Sequence, residues 1–434
     1  MTNLIRSARC RYNVDTGVPR KWESSSDRCQ QTKVSLRSVY RKPTECRWLR
    51  LNTRLNLSKA LAVDRHYGSS EFPGHAPADI YLTRSVAPLS PDLAWETECL
   101  LLKIFEYGDY SFRSALLGRY SETLTCTFAL ARHRNALIGA AGCLHSRVDP
   151  TVAILGPVGV AREYRRNGIG AQLVHSIVDY LKKQGCMAVY LGVSRTNPAV
   201  RLYEAAGFRR YQGIVMRLLL SCKKEFWNQY FDADPNSAIR RIAWGDFPAV
   251  QALSTWPGVM YTVDLSRGIF SSRYCEPKRF LSVFPSMMQT FAAAGGFANA
   301  LVAGERRTIV GFAKVQRMPA QIQCHVAELD LFVHDNFLAK AMELTQTTIR
   351  QCEALSIKRV CSACLSCDDV KREILERIGG RHVATLPGQV LLDGEYHDLL
   401  TYQMDLAPSK ERGEIKNASS SDDDAITGLW GVRS

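Results

Sequence analysis

Between Arg165 and Ala171 the chain reads Arg-Arg-Asn-Gly-Ile-Gly-Ala, two cations and two glycines set directly ahead of a segment with helical spacing. In that segment Leu173, Ile177 and Leu181 share one face, with Val174 and Val178 beside them. Lys182, Lys183 and Gly185 suit the end of such a helix. A glycine turn feeding a helix leaves amide N–H groups unpaired at the positive end of the helix dipole, and that combination holds phosphate. Two common phosphate loops are excluded. A dinucleotide loop needs a third glycine three residues after Gly170, where Leu173 stands, and a nucleoside-triphosphate loop needs Gly-Lys-Ser/Thr, whereas Gly170 is followed by Ala171. Upstream, Val152 to Val160 reads as an apolar strand interrupted at Gly156-Pro157, where a central strand loses ladder bonds and bulges or splays.

The run Arg165-Arg166-Asn167-Gly168-Ile169-Gly170, behind Leu155-Gly156-Pro157-Val158-Gly159-Val160, resembles the pyrophosphate-binding motif Arg/Gln-x-x-Gly-x-Gly/Ala of the GNAT superfamily of N-acetyltransferases. A second stretch supports the resemblance. After a strand-like run from Cys186 to Ser194 comes Asn197-Pro198-Ala199-Val200-Arg201-Leu202-Tyr203-Glu204-Ala205-Ala206-Gly207-Phe208. It is similar to that family's Asn-x-x-Ala-x-x-Leu-Tyr-Glu-x-x-Gly-Phe signature, with one residue fewer before the alanine. Read locally, Asn197 caps a helix that starts at Pro198 and Gly207 ends it.

The resemblance implies an acyl-CoA N-acyltransferase that takes acetyl-CoA as co-substrate and a primary amine as acceptor. It implies that Arg165, Arg166, Asn167, Gly168, Ile169, Gly170 and Ala171 cradle the pyrophosphate. Val158, Gly159 and Val160 would offer main-chain groups to the pantetheine arm, as an added strand would. Asn197 would brace that arm, and Tyr203 would lie near the sulfur as the candidate catalytic acid. Each has a plainer reading as well: glycines for tight packing, arginines as solvated loop residues, Tyr203 as a helix residue packed on the sheet. The family often carries a glutamate on the cofactor strand, but Ile154 and Leu155 occupy that region. The general base therefore stays open among Glu163, His145, Asp149, Glu96 and Glu98, a water molecule, or an amine that arrives neutral. The alternative function is a non-catalytic acyl-CoA-binding or regulatory module whose second half binds a partner.

Cys361, Cys364 and Cys367 form two C-x-x-C steps, with Cys352 and His382 as further conceivable metal ligands. The run falls on an expected strand, where residues three apart point to opposite faces, so the reading is buried thiols and no metal.

The elements that must position these residues read as an α/β mixed-sheet domain at 79–222. Ile80 to Val86 is a strand, Pro91 to Tyr107 and Ser111 to Tyr120 are helices, and Thr125 to His133 and Ala136 to His145 form a hairpin turning at Arg134-Asn135. Tyr211 to Leu220 closes the domain as a final strand. The pattern then repeats at 238–406: a strand and helix from Ile239, a hairpin at Ala298–Ala303 and Thr308–Gln316, and a strand at Glu328–Val333. His334 to Ala341 stands in the phosphate-loop position without a glycine. A helix, the strand Lys358–Ala363, the helix Val370–Ile378 and a last strand follow. The expectation is two tandem copies of the GNAT fold, the second degenerate.

The chain has 434 residues, a net charge of +14 and fourteen cysteines. About fifteen lysines and arginines against about five acidic residues lie in the first seventy positions, so most of the surplus belongs to one arm. Nucleic acid is expected only through that arm. Residues 1–78 and 407–434 read as a disordered basic extension and a Ser/Asp-rich tail. No apolar run is long enough to span a bilayer, and the scattered cysteines suit a reducing compartment, so a cytoplasmic protein is expected.

Overall fold

The computed structural model describes residues 79–105, 112–221, 226–232, 236–264, 269–270, 280–318, 321–392 and 394–406. The readings for 1–78 and 407–434 lie outside them.

The first half runs β1 (Ile80–Val86), α1 (Pro91–Phe105), α2 (Phe112–Leu116), β2 (Leu124–His133), β3 (Ala136–Ser146), β4 (Val152–Val160), α3 (Ile169–Lys183), β5 (Ala188–Gly192), α4 (Val200–Ala205), β6 (Arg209–Gln212) and β7 (Val215–Leu219). Its seven strands are ordered β1-β2-β3-β4-β5-β7-β6. All neighbours are antiparallel except β4 and β5. The β2–β3 hairpin turns through Arg134 and Asn135, both left-handed at φ +48° and +69°, a conformation that matches strand twist. Helix α3 buries Ile169, Leu173, Val174, Ile177, Val178 and Leu181 on one face of the sheet. Each such side chain contributes roughly 1.5–3 kcal/mol relative to exposure. Helix α1 packs on the opposite face through Ala94, Leu100 and Leu101.

Helix α5 (Phe226–Tyr230) leads into the second half: β8 (Ser237–Arg241), α6 (Phe247–Ser254), β9 (Val263–Asp264), β10 (Ile269–Phe270), α7 (Val283–Ala294), β11 (Gly296–Ala303), β12 (Thr308–Arg317), β13 (Val326–Val333), α8 (Ala341–Arg350), β14 (Arg359–Leu365), α9 (Asp369–Arg377), β15 (Arg381–Leu392) and β16 (Glu395–Asp405). Read from β8, this sheet has the order β8-β11-β12-β13-β14-β16-β15, strand for strand the order of the first. Two mixed sheets of one topology are what tandem GNAT-like folds require. The halves share an apolar core on the α1 face of the first sheet. Tyr120 stacks on Trp244 with ring centroids 3.8 Å apart, and Gly245 sits so close that an added Cβ would lie 2.6 Å from the Thr123 carbonyl oxygen.

Three elements differ from the sequence reading. The expected strand Tyr211–Leu220 is two strands, because Gly213 adopts φ +50° and folds β6 back on β7. The expected helix Ser111–Tyr120 is helical only over Phe112–Leu116, and Gly118 at φ +71° stops it. The helix expected from Pro198 with Asn197 as its cap begins instead at Val200, with Ala199 in the cap position.

Candidate functional site

The parallel ladder between β4 and β5 lasts three pairs, Val152–Ala188, Ala153–Val189 and Ile154–Tyr190. Beyond them the strands diverge. Gly156 takes φ +147°, and the register of β4 against β3 slips between Ala141 and Cys143. From Leu155 to Val160 the β5-facing edge of β4 therefore has no strand partner among the described residues. The interruption at Gly156-Pro157 opens the sheet where the sequence placed it.

Directly after β4, Arg166 and Gly168 are both left-handed, at φ +68° and +75°, and α3 begins at Ile169. A non-glycine residue held there costs on the order of 1–2 kcal/mol, and such alternation turns successive amides toward one concave side. Gln172 donates its N–H to the Gly168 carbonyl at 3.1 Å, so the amides of Ile169, Gly170 and Ala171 precede the first intrahelical bond. A Cβ on Gly168 would meet nothing within 4 Å, which leaves room over the turn for a bulky anion. Gly170 differs from Gly168. Its added Cβ would make an ordinary 3.4 Å contact with Leu202, so alanine fits at that position. The donors, the space and the exposed cations Arg165 and Arg166 fit a diphosphate. Arg165 Nε also donates to the Val160 carbonyl at 2.9 Å, tying the loop to the end of β4 and occupying one of the acceptors expected to meet a pantetheine arm. Val158 and Val160 rest their side chains on the α3-side core.

Asn197 accepts the Ala199 N–H at 2.9 Å through Oδ1, and its carbonyl accepts from Val200. It thus supports the start of α4, whose helical residues begin three positions later. Gly207 at φ +92° ends the helix, with the Phe208 N–H donating to the Tyr203 carbonyl. Tyr203 is buried on the α3 side, edge-on to Phe208, and its hydroxyl has no hydrogen-bond partner among the described residues. Burial pushes its phenol up to about 12.

The five candidate bases are scattered. His145 pairs through Ala153 with the closed end of β4, and its ring is held by the Ser146 carbonyl at 3.0 Å and the Tyr180 hydroxyl at 3.3 Å. Burial lowers its pKa. Asp149 accepts the Thr151 N–H inside the β3–β4 turn. On α1, Glu96 makes a paired contact with Arg132 and accepts the Leu137 N–H, while Glu98 bonds to Arg113 at 3.4 Å. Glu163 lies exposed beyond β4. Of the cysteine run, Cys364 on β14 is in the core, Cys361 on the same strand is half-exposed, and Cys367, just past the strand, is exposed.

The second sheet opens in the same way, after Val326–Arg359, Ala327–Val360 and Glu328–Cys361. Its opening is bridged by its own chain. The Val263 N–H donates to Asp330 of β13 at 3.2 Å, and the Tyr261 N–H donates to Asp368, which caps α9, at 2.8 Å. Lys371, fully buried, donates to Asp330 and to the Tyr261 carbonyl. Burial alone would lower this ammonium's pKa, but Asp330 and Asp368 outweigh it and raise it. In the phosphate-loop position, Asp335 accepts from Trp256 Nε1 and the Val259 N–H. The missing glycines there are legible in the sequence and the bridge is not, since no local pattern announces it.

Residues 93–208 match the Acetyltransferase (GNAT) family. N-alpha-acetyltransferase 60 of Danio rerio is 35% identical over 68 residues, 15% of this chain and 28% of that protein. A Xenopus tropicalis protein named Probable N-acetyltransferase camello is 26% identical over 152 residues, 32% of this chain and 69% of its own length. The solved structure of yncA from Salmonella typhimurium, determined with its cofactor acetyl-CoA, covers 39% of this chain and 94% of that one at 15% identity, with a TM-score of 0.32. The chain thus spans from 28% to 69% of the length of these two curated relatives. No helix among the described residues is long and apolar enough to cross a membrane.

Proposed function

We infer, from a GNAT acetyltransferase domain in the first half of the chain, that this protein moves an acetyl group from acetyl-CoA directly to a primary amine within a ternary complex. The catalytic unit in this reading is 79–222, and 238–406 is a degenerate copy. One observation carries it: a β-ladder that opens after three pairs, immediately before a left-handed glycine turn and the start of a fifteen-residue helix.

Acetyl-CoA supplies an activated thioester. Amides at Ile169, Gly170 and Ala171, with Arg165 and Arg166, hold its diphosphate at the positive end of α3. The unpaired edge of β4 from Val158 to Val160 orients the pantetheine arm, and Asn197 fixes the far wall by anchoring α4. Holding both reactants in this geometry replaces a bimolecular encounter by an oriented one. Tyr203, with its phenol at about 12, stays protonated across the working range and donates a hydrogen bond from Oη to the leaving sulfur. A free thiol titrates near 8.5, so Tyr203 shares its proton with sulfur and does not surrender it, and the proton lost by the attacking amine completes the balance. The test is thiol release by the purified chain with acetyl-CoA and a panel of amines, read together with the mass gain of the acceptor. Tight acetyl-CoA binding without thiol release from any amine would make the chain a binding module instead.

A further inference from the structure

The opening between β4 and β5 has two lips, and each carries a glycine two residues past the last parallel pair: Gly156 after Ile154 and Gly192 after Tyr190. Both are covered by consecutive residues of the other half. A Cβ built on Gly192 would lie 2.5 Å from Cβ and Cγ of Phe280, and one built on Gly156 would lie 2.9 Å from Cδ1 of Leu281. A little further along β4, Gly159 is met in the same way by Ile104 of α1 at 2.9 Å. These glycines are close-approach positions where a methyl group would have to displace a neighbour. Phe280 is 1% exposed and belongs to the core on the α1 face, whereas the phosphate cradle and α3 lie on the opposite face. A chain held at the cradle and passed between the diverging strands therefore meets Phe280, Leu281 and Ile104 where it emerges.

We propose that Phe280 and Leu281, carried by the second half, form the wall that sets the length of the acyl group the first half accepts, admitting acetyl and excluding longer chains. The proposal rests on the acetyl-CoA reading above and deepens it. Both residues are apolar, they abut main chain rather than flexible side chains, and among the described residues their own backbones make no strand pairing with β4 or β5. The wall is thus of side chains alone, and it shortens the pocket without sealing the strand edges that would hold the arm. The degenerate half then has a catalytic purpose: it completes a substrate pocket that α1 and the first sheet form only in part.

The test compares the full chain with Leu281→Ala and Phe280→Ala, measuring the affinities of acetyl-CoA and butyryl-CoA by calorimetry, with thermal melts to establish folding. Each added methylene that a rigid apolar wall rejects is worth about tenfold or more. The expected result is wild-type preference for acetyl-CoA and, in the variants, butyryl-CoA tightening at least about tenfold relative to acetyl-CoA. Leu281 is only partly buried, so Leu281→Ala decides the matter if removing Phe280 unfolds the chain. An unchanged affinity ratio in a folded Leu281→Ala chain that still binds acetyl-CoA overturns the wall alone. A wild-type chain that binds neither thioester overturns the acetyl-CoA reading and the wall with it.

Discussion

The two sheets share one strand order and open at corresponding points, each after three parallel pairs, yet they have opposite fates. In the first, β4 keeps an unpaired edge beside a glycine turn and a helix start. In the second, the chain from Trp256 to Val263 lies across the opening, bonded to β13 through Asp330, to the start of α9 through Asp368 and Lys371, and to the segment after β13 through Asp335. An open ladder leaves main-chain donors and acceptors that must find partners. In the first sheet no strand covers that edge among the described residues, and in the second the crossing segment bonds to the Asp330 and Asp368 carboxylates and to Lys371, which buries a lysine and two aspartates. Two sheets of one strand order thus differ in whether a segment of the chain crosses the opening.

This contrast can be broken most severely at the cradle. Gly168→Glu places a carboxylate and a Cβ in the left-handed turn of the proposed cradle. We expect acetyl-CoA affinity to fall by more than about a hundredfold by calorimetry, with folding stability lowered only by the roughly 1–2 kcal/mol of backbone strain. The corresponding break in the second half is Lys371→Met. It leaves Asp330 and Asp368 buried without their cation, and denaturant unfolding should show a loss of about 3–5 kcal/mol, while acetyl-CoA affinity in the folded protein stays within twofold of wild type.

Acid should sharpen the contrast. His334, stacked on Phe231 and tilted against Trp256, has its pKa lowered by burial to about 4. The folded state therefore favours the neutral ring. Stability from this group is complete above about pH 6.5 and is lost as the pH falls toward 4, because the unfolded chain takes up the proton first, a change of up to about 3 kcal/mol. His334→Asn keeps an acceptor for the Asn336 N–H and should flatten that part of the stability profile. The smallest effect is expected at Tyr203→Phe. With a phenol that shares its proton and does not transfer it, kcat should drop about ten- to a hundredfold, or 1.4–2.7 kcal/mol, with acetyl-CoA affinity unchanged. An unaltered kcat would remove Tyr203 from the reaction.

The legible parts of this molecule are those encoded by neighbours in sequence. The helix after Gly170 announced itself through Leu173, Ile177 and Leu181, and the hairpin turn through Arg134-Asn135, because a 3.6-residue period and a left-handed turn are local properties. The same rules misread Tyr211–Leu220, where a single glycine inside an apolar run had to be either a strand residue or a reversal, and only pairing with β5 settled which.

By itself the sequence determined the strand, the glycine turn and the helix of the proposed cradle, since every residue of that unit lies between Val152 and Gly185. Tertiary structure alone decided what covers the two openings. Tyr261 meets Asp368 and Lys371 from 107 and 110 residues away, and Phe280 and Leu281 lie on glycines of the other sheet. Contacts at such separations leave no period or spacing in the chain, because they come from how two folded surfaces pack, after each surface has formed.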